Sequence, residues 1–167
     1  MAIVIIVCGL PGVGKTTLVK QLAPWMRAVI LSTDKIRKEV IPRPKYDWKE
    51  RKLIYDILIL LAKYLSKADL NCILDATFIR EKSRLGVKKE LGLITKEFYV
   101  IECVCPEDII IDRLKRRKND YSDAGISVYR KMKKIYEPVK EKHITIDTSK
   151  ISKKDILSIA TQIQNKN

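Results

Sequence analysis

Short apolar runs alternate with longer amphipathic stretches along this chain, and that alternation sets the first expectation. Five runs rich in Ile, Val and Leu, near residues 2–8, 28–32, 71–75, 96–104 and 143–147, read as strands. Between them, apolar positions recur at helical spacing over about 15–23, 34–41, 48–67, 81–91, 107–118, 126–140 and 152–165. Strands regularly separated by helices predict an α/β protein with a parallel sheet covered on both faces. Within 48–67 the apolar series Leu53, Ile57, Leu60, Leu61 and Tyr64 is expected to face the core. The nearby rings of Tyr46, Trp48 and Tyr55 are assigned there in preference to a base-stacking role. Two stretches, Ile41 to Asp47 and Lys118 to Gly125, read as functional loops. An open parallel sheet binds ligands beyond the carboxyl ends of its strands, so chemistry is sought in the residues that follow each run.

The first strand leads directly into Gly9-Leu10-Pro11-Gly12-Val13-Gly14-Lys15-Thr16, a complete G-x-x-x-x-G-K-[ST] phosphate loop. Gly9, Gly12 and Gly14 permit the backbone angles and close approach that let successive N–H groups point at phosphate oxygens. Lys15 is expected to reach the β- and γ-phosphates, and the Thr16 hydroxyl to bind Mg²⁺. The following helix adds the positive end of its dipole beneath the same charge. A nucleoside triphosphate is therefore the expected ligand.

The second strand ends in Ser32-Thr33-Asp34-Lys35-Ile36-Arg37. Thr33 or Asp34 suits a helix cap, but a carboxylate at this edge also suits a general base that faces an acceptor hydroxyl across the γ-phosphate. Such an acid repels a phosphate nucleophile, which makes a hydroxyl the better acceptor. Arg37 lies one turn further along and is a candidate clamp on the acceptor. The third strand ends in Asp75-Ala76-Thr77-Phe78, where Asp75 is expected near the Mg²⁺ shell and Thr77 as a second polar contact. On the next helix either Arg80 or Arg84 is a candidate acceptor contact, with Arg84 preferred. Arg113 and Arg117, four apart in a densely basic helix, can aim at one anion, and a closing lid would bring such arginines to the transferring phosphoryl group.

Charge widens the range of partners. Lys plus Arg number 34 against 20 for Asp plus Glu, a formal net charge of +14, which makes nucleic acid a candidate partner. No apolar stretch approaches the roughly 18 residues of a membrane span, and the short initial run lacks the form of a secretion signal, so a cytoplasmic protein is expected. The four cysteines form no C-x-x-C pair and read as buried thiols, and the lone His143 opens the last strand.

Together these motifs resemble the small P-loop kinases of the AAA_33-type group, related to the kinase domain of polynucleotide 5′-hydroxyl kinase, chloramphenicol phosphotransferase, zeta toxin kinases and seryl-tRNA kinases. The resemblance rests on residues 9–16, Ser-Thr-Asp-x-x-Arg at 32–37, Ile-Leu-Asp-Ala-Thr-Phe at 73–78, Arg-x-x-x-Arg at 113–117, Ser-Asp-Ala at 122–124, Val128-Tyr129 and Tyr136-Glu137-Pro138. It implies one kinase domain over 1–167, a P-loop three-layer sandwich whose five-stranded parallel sheet runs in the order 2-3-1-4-5, and a basic lid. It further implies ATP and Mg²⁺ held by Gly9, Gly12, Val13, Gly14, Lys15, Thr16, Thr17, Arg113 and Arg117, with Thr16 and Asp75 at the metal. Asp34 matches the acceptor-activating base, Arg37 an acceptor contact, and Arg117 the transition-state arginine. The segment Asp147-Thr148-Ser149 matches the passage beside adenine. No phosphatase motif or long extension accompanies these motifs, so the acceptor class stays open between nucleic-acid or nucleoside hydroxyls and small metabolites. A nucleotide kinase acting on a monophosphate, and a nucleic-acid-binding NTPase without an acceptor, are the alternatives.

Overall fold

A computed structural model describes residues 2–92, 97–116 and 124–165. In chain order the elements are β1 (Val4–Cys8), α1 (Lys15–Met26), β2 (Val29–Ser32), α2 (Thr33–Val40), α3 (Trp48–Lys67), β3 (Cys72–Asp75), α4 (Glu81–Leu91), β4 (Phe98–Val104), α5 (Glu107–Arg116), α6 (Ile126–Ile135), β5 (Ile144–Asp147) and α7 (Lys153–Gln164). The strands form one five-stranded sheet in the order β2-β3-β1-β4-β5, every pairing parallel. The sheet is the expected P-loop α/β arrangement.

β1 is the central strand and all five of its residues are buried, as a strand covered on both faces requires. Alternation sends Ile3, Ile5 and Val7 to one face, where they pack with Leu18, Leu22, Ile156 and Ile159 from α1 and α7. Val4, Ile6 and Cys8 face the other side, against Ile54 and Leu58 of α3, Leu74 and Phe78. The helix ends are fixed locally: Asp47 accepts from Glu50 N at 2.8 Å to start α3, and Ser152 with Asp155 forms a capping box on α7. The ladder Ser32↔Asp75↔Val7 brings the ends of β2, β3 and β1 level. Cys8, Cys72 and Cys103 are buried free thiols, and burial pushes Cys72 and Cys103 up to about 12.

Three elements differ from expectation. α1 continues through Pro24 to Met26, since a proline in the last turn forfeits a bond only to Lys20, whose residue is exposed to water. α6 stops at Ile135, not 140, because Pro138 disfavours helix in the residue before it. The chain there is instead tied across the sheet end, with Glu137 N donating to Ile79 O at 2.9 Å. On α3 the buried stripe is Ile54, Leu58 and Ala62. Leu53, Leu60 and Leu61 are exposed, as are Tyr64 at 64% and Trp48 at 70%, so their assignment to the core is corrected. The helix carries two apolar stripes, and periodicity alone does not say which meets the sheet. Among the described residues no helix is long and apolar enough to cross a membrane.

Candidate active site

A cleft of about 840 Å³ opens at the carboxyl edge of the sheet, between the loop after β1, the start of α2, α3 and α6. The loop is built to hold its backbone open. Gly9 has φ 139°, and a Cβ there would sit 2.6 Å from the Cys103 carbonyl oxygen, so only glycine fits. Gly9 N donates to Thr77 O at 3.3 Å, which links the loop to the end of β3. Gly12, Gly14, Lys15, Thr16 and Thr17 line the cleft, whereas Gly9 and Val13 support the loop from behind.

Lys15 Nζ donates to the carbonyls of Gly9 and Leu10, both at 2.9 Å. Burial holds its pKa below the ordinary lysine value, an effect opposed mainly by Asp75, then Cys103 and Asp34. A phosphate oxygen in the loop would supply the charge compensation that burial withholds. Thr16 Oγ1 donates to Asp75 Oδ2 at 2.8 Å, and Asp75 is buried at the end of β3. A hydroxyl and a carboxylate side by side, below a phosphate loop, are the hard oxygen donors that Mg²⁺ takes.

Asp34 enters the cleft from the first turn of α2, with Thr33 and Thr77 also on its wall. Its Oδ1 accepts from Arg37 Nη1 at 3.1 Å. Arg37 is only 6% exposed. Its Nε lies 2.9 Å from Glu50 Oε1, an ion pair without the alignment of a hydrogen bond, and its guanidinium covers the Tyr46 ring at 4.9 Å. Arg37 thus orients Asp34 and itself lines the cleft.

Arg113 lines the opposite side, and the structure braces it. Its Nη2 donates to Thr148 O at 2.9 Å, and its Nη1 reaches Thr148 Oγ1 at 3.2 Å and Val13 O at 3.4 Å. The Thr148 hydroxyl donates to Val13 O as well. The end of β5, α5 and the phosphate loop are locked together by this arginine. Arg117 and the greater part of the expected lid lie outside the described residues.

Arg84 is a correction. It is 2% exposed and absent from the cleft. Nη1 donates to Phe78 O at 2.6 Å, Nη2 to Glu137 O at 2.7 Å and Pro138 O at 3.0 Å, and Nε to Glu81 Oε2 at 2.7 Å. Every arm of the guanidinium is spent on a buried strut, so it is not available to an acceptor. Arg80 is exposed and also absent from the cleft wall. The wall also includes Thr148, from the segment matched to the passage beside adenine, together with Lys20, Arg51 and Arg116, which the sequence did not single out as cleft residues. Lys20 stands one turn after Thr16 on α1, a spacing that marks the shared face.

The AAA_33 family, described as an AAA domain, matches residues 4–139. The chain belongs to the AAA_33 family. No curated protein matches its sequence. Among solved structures, this AAA_33 chain is similar to a sugar kinase from Janibacter sp. HTCC2649, with TM-score 0.77 and 14% identity over 99% of this chain and 95% of that one. A putative kinase from Chloroflexus aurantiacus gives TM-score 0.74 and 19% identity over 99% and 98%. The APS kinase of Mycobacterium tuberculosis, solved with AMPPNP and APS, gives 0.72 and 14% over 98% of each chain. At these identities the likeness establishes the fold.

Proposed function

We propose that this AAA_33 protein is an ATP-dependent kinase that transfers the γ-phosphoryl group to a hydroxyl acceptor. The observation that carries the proposal is one cleft lined by Lys15, Thr16, Asp75 and a carboxylate, Asp34, held in place by Arg37. The kinases among the structural neighbours support it by their fold.

Gly12, Gly14, Lys15, Thr16 and Thr17 would bind the triphosphate, with Thr16 and Asp75 holding Mg²⁺. That ion, when bound, supplies electrostatic stabilisation of the phosphate oxygens. Asp34 accepts the proton of the acceptor hydroxyl as its oxygen bonds to the γ-phosphorus and the bond to the β–γ bridging oxygen breaks. The products are a phosphate ester, ADP and a proton released from Asp34. Lys15 stabilises charge on the transferring group, and Arg117 is proposed to join it. Arg113 keeps the loop in shape. Arg37 positions Asp34, and Thr77 borders the acceptor side.

Labelled ATP offered with 5′-hydroxyl oligonucleotides, tRNA, nucleosides, nucleoside monophosphates and small alcohols tests the reaction and its acceptor together. Asp34→Asn should lower transfer at least about a hundredfold with ATP affinity preserved. Normal turnover by that variant, or label released only as inorganic phosphate, would end the proposal.

A further inference from the structure

We infer that the acceptor is a hydroxyl compound carrying a phosphate group of its own, and that Arg51, with Lys20 as a second cation of the same cleft, holds that phosphate. The inference rests on the kinase proposal and narrows its acceptor.

Among the described residues, six basic side chains line the cleft, Lys15, Lys20, Arg37, Arg51, Arg113 and Arg116, against the carboxylates of Asp34 and Asp75. Most of these cations already have a task. Arg37 is paired with Asp34 and Glu50, and Arg116 with Asp112 at 3.0 Å. Arg113 is spent on Thr148 and Val13, and Lys15 belongs to the phosphate loop. Asp75 has Thr16. Arg51 and Lys20 remain: both are exposed, both line the cleft, and no carboxylate among the described residues pairs with either.

Their placement suits the acceptor. Arg51 follows Glu50, whose carboxylate anchors Arg37 and through it Asp34, so the free guanidinium leaves the backbone next to the proposed base's support. One turn later on the same helix face, Tyr55 also lines the cleft, its hydroxyl accepting from Phe78 N at 3.3 Å. That contact fixes the wall against which an acceptor would lie. Lys20 stands one turn beyond Thr16, past the expected metal site. Two uncompensated cations match the roughly 1.5 to 2 negative charges of a phosphate monoester, where a carboxylate would bring one. The arginine fork also fits phosphate geometry in a two-point contact. Asp34 repels a phosphate as nucleophile, yet a phosphate borne elsewhere on the acceptor meets Arg51, so the two features are compatible.

The test is a binding comparison that needs no turnover. Protein saturated with Mg²⁺ and AMPPNP is titrated calorimetrically, in low salt, with adenosine against adenosine 3′-phosphate and with glucose against glucose 6-phosphate. In at least one pair the phosphorylated compound should bind about tenfold tighter or better. Arg51→Gln should remove most of that advantage and Lys20→Gln part of it, with AMPPNP affinity of the Arg51 variant within about twofold of the parent. Which pair responds separates a nucleotide from a sugar phosphate. Equal affinities within both pairs, or a preference that survives Arg51→Gln, would overturn the inference. Were the labelled-ATP panel to show no transfer to any hydroxyl, the kinase proposal would fall on that result while the calorimetric comparison still decided the phosphate site.

Discussion

Replacing Arg84 with methionine separates a strut from a substrate contact. The guanidinium donates to three carbonyls, Phe78, Glu137 and Pro138, and to Glu81. Methionine fills much of the volume and leaves those acceptors without a donor. Each stranded buried group costs about 1–3 kcal/mol, and breaking a buried ion pair from one side costs about 3–5 kcal/mol. The contributions overlap, since Glu81 also accepts from Lys140 N at 3.3 Å. The expected loss is therefore about 3–5 kcal/mol, a large share of the roughly 5–15 kcal/mol that holds a domain of this kind together. With a urea slope near 2 kcal/mol/M the unfolding midpoint should fall by roughly 2 M. Arg84→Lys keeps one donor and the charge, and should recover part of that loss. The assay is urea unfolding followed by circular dichroism, with acceptor KM measured on protein that remains folded. A midpoint moved by less than about 0.3 M together with a raised acceptor KM would refute the strut and return Arg84 to the acceptor site.

Other outcomes follow from the same contacts. Thr16→Val should raise the Mg²⁺ concentration for half-maximal phosphoryl transfer by about tenfold or more, and an unchanged Mg²⁺ titration would remove Thr16 from the metal site. Burial pushes the Cys72 thiol from 9.0 to about 12, so its folded-state pKa is raised. The stability tied to that proton is complete below about pH 9 and is lost as pH climbs toward 12, by at most about 1.4 kcal/mol per pH unit. The urea midpoint of Cys72→Val should therefore decline less steeply than the parent's between pH 9 and 10.5. Parallel declines would count against the assignment.

The alternation of apolar runs and amphipathic segments was enough to place the strands and their parallel, doubly covered arrangement. Both acids at the strand ends were also legible, because Asp75 follows Leu74 directly and Asp34 comes within three residues of Leu31, and both line the cleft. What local spacing could not show was the destination of long side chains. Arg84 satisfies carbonyls that lie 53 and 54 residues away in sequence, a partnership invisible to any helical period. Arg113 likewise reaches Thr148 from 35 residues away. Arg51 escaped notice as a cleft residue for a related reason, since α3 is patterned by two apolar stripes and its polar N-terminal turn reads as ordinary solvated surface.

Ser32, Asp75 and Val7 occupy one rung across three neighbouring strands. Loss of a single codon from β3 would carry Asp75 to the side now taken by Leu74, against α3, and leave Ala76 opposite the Thr16 hydroxyl. The length of β3, as well as the identity of Asp75, is therefore fixed by this site.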